Sequence, residues 1–350
     1  MPRDPRSSCR LTISPAVAAI LLLGAVASAQ NPGTYVTVVE QYAAGEVSGA
    51  IALFANSTPR LSGDIVTSMR ALPDRQVRAA IVMHTELAAA GIRDGNVSPA
   101  TIHLANAQRL LDILTGDVRR RAASQVFAIR WYAFVANIWS GQARFETAFA
   151  SVRNGLAVFP RSAELYAVRG TINEMRGSMV DVNPRYAVTR EAERASRDSI
   201  RLMESAAADF QRALDIDPEL ALAHLHRGWI HHRLGDRRAA PELEAALKTA
   251  TDDSVRYLGH LFRGAAAEVA NDLETARLQF EAAKMLGGYQ TAYVALGRVE
   301  TALGHAERAR EIAAEYARLP DKAEDPWWDY RLGGFTTGAL DWLRREARTP

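Results

Sequence analysis

The sequence has very little cysteine and very little lysine. Cys9 is the only cysteine of the 350 residues, and it lies in an N-terminal segment that we expect to be removed. A chain without that segment has no thiol, which excludes disulfides, cysteine nucleophiles and thiolate metal sites. Lysine occurs only at Lys248, Lys284 and Lys322, so arginine supplies nearly all the positive charge. This bias is typical of GC-rich genomes and favours a bacterial origin.

Long apolar runs are also rare. The run near the N-terminus, Ala16–Val26, has about 11 residues, whereas a helix that spans a bilayer needs about 20. Arginines precede this run and the small residues at positions 27–29 follow it, as in a secretory signal peptide. Residues 1–29 are therefore predicted to be a signal peptide that is cleaved before Gln30. The protein is predicted to be exported, either periplasmic or secreted, and not to span a membrane.

A charge surplus is missing as well. The formal net charge is +2, and residues 1–29 hold three arginines and one aspartate, so the remaining chain is formally neutral. The sequence therefore lacks the broad positive surface that nucleic-acid binding requires. With 48% apolar and 23% charged residues the composition is that of a folded protein. Alanine is abundant and alternating Val, Ile and Thr runs are scarce, which predicts a mostly helical chain.

A spacing pattern recurs from about residue 129. A small residue is followed twelve positions later by Ala, then four on by a bulky apolar residue, three on by a small residue and five on by Pro. The clearest copy contains Gly264, Ala276, Phe280 and Ala283. Spacings of three and four keep one helix face apolar, and the interval of twelve crosses a turn into a second helix. The pattern therefore predicts a row of helical pairs.

Two copies depart from this spacing. The copy that starts at Gly228 has Glu244 where a bulky apolar residue belongs. In the copy that starts at Gly170, the first interval is longer by 24 residues, and Phe210 then takes the bulky position. The extra segment, about residues 178–205, is charged and rich in helix-forming residues. We expect it to be a long N-terminal extension of that copy's second helix.

These residues resemble the tetratricopeptide repeat, a helix–turn–helix unit of 34 residues. The resemblance implies an all-α fold, a right-handed solenoid of stacked antiparallel helix pairs with a long inserted helix. The repeat region is predicted at 119–323, after divergent helical hairpins at 30–118 and before a C-terminal capping helix at 324–350. The copies are expected near 129–162, 163–220 (with the insertion), 221–254, 257–290 and 290–323.

The resemblance also implies a function. First helices of such pairs line an extended concave face, and aromatic and arginine side chains in a sheltered patch are typical of binding hot spots. The chain is therefore interpreted as a scaffold that binds a protein or peptide partner of unknown identity, without catalysis or cofactor. The predicted groove residues are Glu164, Thr171, Glu174, Leu222, Leu225, Trp229, His232, Arg233, Leu258, Leu261, Glu268 and Arg298.

Two other hypotheses remain open. The stretch AHLHRGWIHHRLG holds four histidines, between His224 and His232, and an exported metal-dependent hydrolase could use them as zinc ligands. No two of them are spaced i, i+4, and the repeat register places His224, His231 and His260 at interior positions, which favours packing and no metal. The third hypothesis is a structural homo-oligomer that forms through the inserted helix or the Trp327–Trp328 end.

Overall fold

The computed structural model describes residues 30–54, 59–179, 190–319, 324–331 and 338–348. These ranges form eighteen α-helices and no strand, so the predicted all-α fold of adjacent helix pairs is confirmed. Within the same ranges, no helix combines the length and the apolar character needed to cross a bilayer. The predicted signal peptide at 1–29 lies outside the described residues, and so do residues 180–189 of the insertion.

The helices belong to two compact units. The first unit comprises the described residues up to Phe127 and those from Leu340 onward, and the second runs from Ala128 to Ala339. The first unit contains α1 (Pro32–Ala43), α2 (Ser48–Phe54), α3 (Gly63–Arg70), α4 (Asp74–Arg93), α5 (Val97–Gly116), α6 (Val118–Ala123), the first residues of α7 (Gln125–Gly141) and nearly all of α18 (Ala339–Arg348).

The hairpin of α4 and α5 forms the core of the first unit. The sequence predicts helices at Asp74–Ala90 and Pro99–Thr115, with Gly91 and Gly116 as their stops, but α4 continues two residues beyond Gly91. A Cβ at Gly91 would lie 3.5 Å from Ala100 Cβ and 3.3 Å from Asn96 O, so this glycine allows the two helices to approach closely. Gly95 makes the turn instead, because its φ of +78° suits glycine.

A buried histidine pair lies inside the first unit, and no sequence pattern indicates it. His84 Nδ1 lies 2.8 Å from His103 Nδ1, and the other ring nitrogen of His84 lies 3.1 Å from the Tyr35 hydroxyl. Phe54 packs against both imidazoles, with ring centroids 5.1 Å from each. Burial lowers the pKa of His84 well below its usual value and that of His103 to about 4. Both rings are therefore neutral at neutral pH.

The second unit is a row of helix pairs. In successive pairs, a glycine of the first helix faces a bulky side chain of the second: Gly170 faces Phe210, and Gly264 faces Phe280. Gly228 faces Leu243, one residue before the position that the spacing indicated. The unit contains the rest of α7, α8 (Phe145–Val158), α9 (Ala163–Ser178), α10 (Arg190–Ile216), α11 (Ala221–Arg233), α12 (Ala239–Thr249), α13 (Asp253–Val269), α14 (Leu273–Met285), α15 (Gln290–Ala302), α16 (Ala306–Ala317) and α17 (Pro326–Arg331).

The inserted segment lengthens α10 to 27 residues, as expected from the sequence. Helix α10 packs along α9, and beyond the insertion the Asp209 carboxylate accepts hydrogen bonds from Arg169 of α9 at 2.6 and 3.0 Å. Nearer the start of α10, the Ser199 hydroxyl donates to Gly177 O at 2.8 Å. The described part of the insertion therefore extends an existing helix pair.

The sequence predicts that the C-terminal helices cap the last repeat. In the structure they pack mainly against other helices. Helix α17 packs chiefly on α13. In α18, Leu343 and Ala347 are buried, and Arg344 forms an ion pair with Glu86 of α4. Apolar side chains at i and i+4 give α18 one face to bury, and in this chain that face is covered by the first unit.

Two glycines at the same repeat position test the helix-pair packing. A Cβ at Gly264 would lie 2.5 Å from the Phe280 ring, whereas a Cβ at Gly297 would meet nothing nearer than Ala309 O at 4.0 Å. We expect Gly264→Ala to lower the free energy of unfolding by about 1–2 kcal/mol, because overpacking exceeds the gain in helix propensity. Gly297→Ala should raise it by about 0.5–1 kcal/mol. Urea unfolding followed by circular dichroism measures both, and equal effects would contradict this packing.

Candidate peptide-binding groove of the second unit

The predicted groove residues all lie on first helices of the pairs, namely α9, α11, α13 and α15. Leu225, Leu258 and Leu261 are at most 5% exposed, because they pack into the core that the successive pairs share. Their assignment to a partner-binding surface is corrected accordingly, since a buried leucine cannot contact a partner. Glu174 is also buried. The partly or fully exposed residues are Glu164, Thr171, Leu222, Trp229, His232, Arg233, Glu268 and Arg298.

The centre of this groove holds a segment of the same chain. Trp229 of α11 stacks on Phe262 of α13 with ring centroids 4.2 Å apart. Trp327 of α17 places its ring edge-on against both, at 5.8 Å from Trp229 and 5.6 Å from Phe262. His232 stacks on Trp229 at 5.0 Å. The aromatic patch expected to contact a partner therefore contacts residues 325–331.

Tyr330 is the second aromatic anchor of this segment. Its ring stacks on His226 at 4.7 Å and meets Phe262 edge-on at 4.9 Å. Its hydroxyl donates a hydrogen bond to Glu174 Oε1, and His226 Nδ1 lies 2.6 Å from Glu174 Oε2. Burial and the neighbouring Glu174 raise the pKa of Tyr330, so its hydroxyl keeps its proton and acts as a donor.

Asp325 is the polar anchor at the other end of the segment. Its side chain is buried, and Oδ2 accepts hydrogen bonds from the Tyr257 hydroxyl at 3.2 Å and from the Thr291 backbone N–H at 2.8 Å. Oδ1 accepts from the backbone N–H of Trp327 at 3.0 Å and so caps the start of α17. Burial and the neighbouring Asp325 raise the pKa of Tyr257. Four successive first helices, α9, α11, α13 and α15, thus contribute contacts to one short segment.

The clustered histidines each have a different partner. His224 Nδ1 lies 2.7 Å from Glu242, and this hydrogen bond raises the pKa of His224. His231 is buried, as the register suggested, and His260 lies 2.9 Å from Gln279. In the described part of the chain, no three His, Cys, Asp or Glu side chains converge as metal ligands. The histidines act here as packing and hydrogen-bonding groups.

The last helix pair leaves part of the inner face open. Val294 of α15 is 57% exposed, and Arg298 forms two hydrogen bonds to Glu268 at 2.7 and 2.5 Å. A cavity of about 560 Å³ lies between α15 and α16, with Tyr293 and Tyr316 among its lining residues. In an earlier pair, Arg233 at the end of α11 donates a hydrogen bond to the Ser178 hydroxyl of α9 at 2.6 Å. A partner could therefore contact Val294 without displacing the segment.

The repeat pattern does not identify His226, Asp325 and Tyr330 as groove residues. Asp325 and Tyr330 lie outside the repeats, so register could not place them, although PWWDY is dense in aromatic side chains. His226 is on the inner side of α11 at a position where a buried polar group needs an acceptor, and Glu174 supplies it. The pairing of His226 with Glu174 spans 52 residues, and no local pattern indicates it.

No protein-family model matches this chain, and no curated protein matches it. Solved structures are similar at low identity. PilW, a "widely conserved type IV pilus biogenesis factor", is 20% identical; the match covers 71% of this chain and 97% of PilW, with a TM-score of 0.45. A human IFIT1 dimer with PPP-AAAA is 16% identical, with 87% and 68% covered and a TM-score of 0.44.

A monomeric IFIT1 mutant with Gppp-AAAA is 15% identical; the match covers 87% of this chain and 66% of that one, with a TM-score of 0.47. This chain thus spans about two thirds of the IFIT1 chains that it matches. The likeness carries no argument about partners, and the assignment of the fold rests on the helix pairs described above.

Proposed function

We propose that the second unit is a non-catalytic scaffold that binds a protein or peptide partner along the inner face of its helix pairs. The observation that carries this proposal is the groove itself, which already holds a short aromatic peptide segment through the anchors Asp325, Trp327 and Tyr330. Helix-in-groove recognition uses this arrangement, with anchors at fixed spacing on one side of a short helix. Trp and Tyr are also the residues that dominate such interfaces.

The proposal includes export. The leader features at residues 1–29 favour a periplasmic or secreted protein, and the partner would then be another exported protein or an exposed segment of an envelope protein. Nucleic acid is not the proposed partner, because the chain after residue 29 is formally neutral and lacks a broad positive surface.

Site-specific photo-crosslinking in the native host tests the inner face. Val294 of α15 and Leu278 of α14 are both 57% exposed, but only Val294 belongs to a first helix. We expect benzoylphenylalanine at position 294 to give a discrete adduct with another protein, and the same group at position 278 to give none. Mass spectrometry of the adduct identifies the partner.

Two results would contradict the scaffold proposal. Adducts of equal yield from positions 294 and 278 would indicate random collision and not a binding face. An adduct from position 294 whose mass equals that of two copies of this chain would favour the structural homo-oligomer instead.

A further inference from the structure

We propose that the groove recognises a partner peptide with the pattern Asp-x-Trp-x-x-Tyr in a short helix, and that residues 325–330 are an intramolecular copy of this ligand. The inference rests on the proposed binding role of the second unit and adds the chemistry of the partner and its regulation. A partner with the same three side chains binds by displacing the chain's own segment.

The groove is formed by contacts that do not involve the segment. Trp229 and Phe262 stack on one another, and His226 holds the Glu174 carboxyl from the neighbouring pair. His226 is itself stacked on Phe210 at 5.1 Å. These side chains belong to α9, α10, α11 and α13, which pack through their own glycine contacts. The site therefore keeps its shape when α17 leaves, as a preorganised binding site must.

The groove recognises the anchors through hydrogen bonds as well as through shape. Two buried carboxyl groups, Asp325 and Glu174, make hydrogen bonds between the segment and the groove. Replacing a buried polar pair by well-packed apolar side chains is often neutral or stabilising for the fold. The polar pair nevertheless disfavours any ligand whose side chain would leave a buried polar group unpaired. The groove thus discriminates in favour of an acid at the first position and a tyrosine at the last.

Two neighbouring side chains, Glu324 and Trp328, face outward, whereas Pro326 is buried. Trp328 is 51% exposed, although the anchor Trp327 next to it is partly buried, and Glu324 is exposed as well. A short helix with alternate inward anchors and outward polar or exposed positions is the form of a bound peptide. Trp328 therefore provides a matched control for Trp327, since it is the same residue type in the same helix.

Displacement must overcome the advantage of a ligand within the same chain. An intramolecular ligand has an effective concentration on the order of 1 mM, so for an intrinsic Kd of about 10 µM the segment weakens an external peptide about 100-fold. The segment thus raises the partner concentration that is needed to occupy the groove. Only a partner at high local concentration, or one with added contacts at the open end near Val294, displaces it.

The test uses full-length chains and a fluorescein-labelled peptide with the sequence of residues 324–331. In one variant, Trp327→Ala with Tyr330→Ala, the groove should be vacated; in the control variant, Trp328→Ala, it should stay filled. We expect fluorescence anisotropy to give a Kd about 100-fold lower for the vacated variant than for the wild type. The Trp328→Ala variant should behave as the wild type. A peptide with alanine in place of Trp327 and Tyr330 should not bind.

Each other result overturns the proposal in a distinct way. A vacated variant with wild-type helicity that does not bind the peptide would show that the groove is not a recognition site, while crosslinking from position 294 would still test the scaffold. A vacated variant that loses its helicity would assign the segment to the structural core. A wild-type dimer that grows with concentration and disappears on Trp327→Ala would make a second copy the occupant.

Discussion

Acidification from pH 7 to pH 5 should destabilise the first unit by about 2 kcal/mol through His103 alone, with His84 adding to the loss. In the folded chain the pKa of His103 is lowered to about 4, so the ring stays neutral down to that pH. In the unfolded chain the imidazole takes up a proton below about pH 6.5. Since each pH unit between these values costs about 1.4 kcal/mol, stability is complete above pH 6.5 and falls toward pH 4.

Variants of the pair isolate this effect. In His84→Phe with His103→Leu, apolar side chains replace both titrating rings, and the buried Tyr35 hydroxyl loses its His84 partner, which costs about 1–3 kcal/mol at pH 7 and at pH 5 alike. We expect this variant to lose little stability between pH 7 and 5 in urea unfolding followed by circular dichroism. His305→Gln, at a side chain that is 54% exposed, should keep the wild-type slope. Equal losses in the double variant and the wild type would mean that other groups cause the pH dependence.

The helix pairs of the second unit could be predicted from the sequence because their determinants are local. A glycine twelve residues before an alanine, with a phenylalanine four positions later, specifies where two adjacent helices meet. The structure has this contact at Gly264 and Phe280, and it has the same contact at Gly170 and Phe210 across the insertion. In the first unit no such spacing exists. There, the close approach at Gly91 was mistaken for a helix end, because both uses favour glycine.

The contents of the groove could not be predicted in the same way. Register predicts Trp229 on the inner face, but register cannot tell whether that face is empty or covered, and in the structure the Trp229 ring contacts Trp327. The covering segment follows the repeats, has no period of its own, and joins Tyr330 to Glu174 across 156 residues. Leu225, Leu258 and Leu261 show a related difficulty. The position of a residue within a repeat predicts which side of the helix its side chain lies on, whereas its burial depends on how closely the next helix pair packs.

Replacing Glu174 by alanine should lower the free energy of unfolding of the second unit by about 3 kcal/mol. The change leaves two buried donors, the Tyr330 hydroxyl and a nitrogen of His226, without the carboxyl that they now contact. A hydrogen bond to a charged group contributes roughly 1.5–3 kcal/mol, and leaving its partner buried and unpaired costs a similar amount. Urea unfolding of the purified full chain measures the loss.

Glu268 is the matched control, because it is also an inner-face carboxylate but its ion pair with Arg298 is partly exposed. Solvent screens such a pair, so Glu268→Ala should cost less than about 1 kcal/mol. A double-mutant cycle of Glu174→Gln with Tyr330→Phe should give a coupling of about 1–2 kcal/mol. A coupling near zero would mean that the tyrosine does not depend on this carboxyl, and the groove would then retain α17 through its aromatic contacts alone.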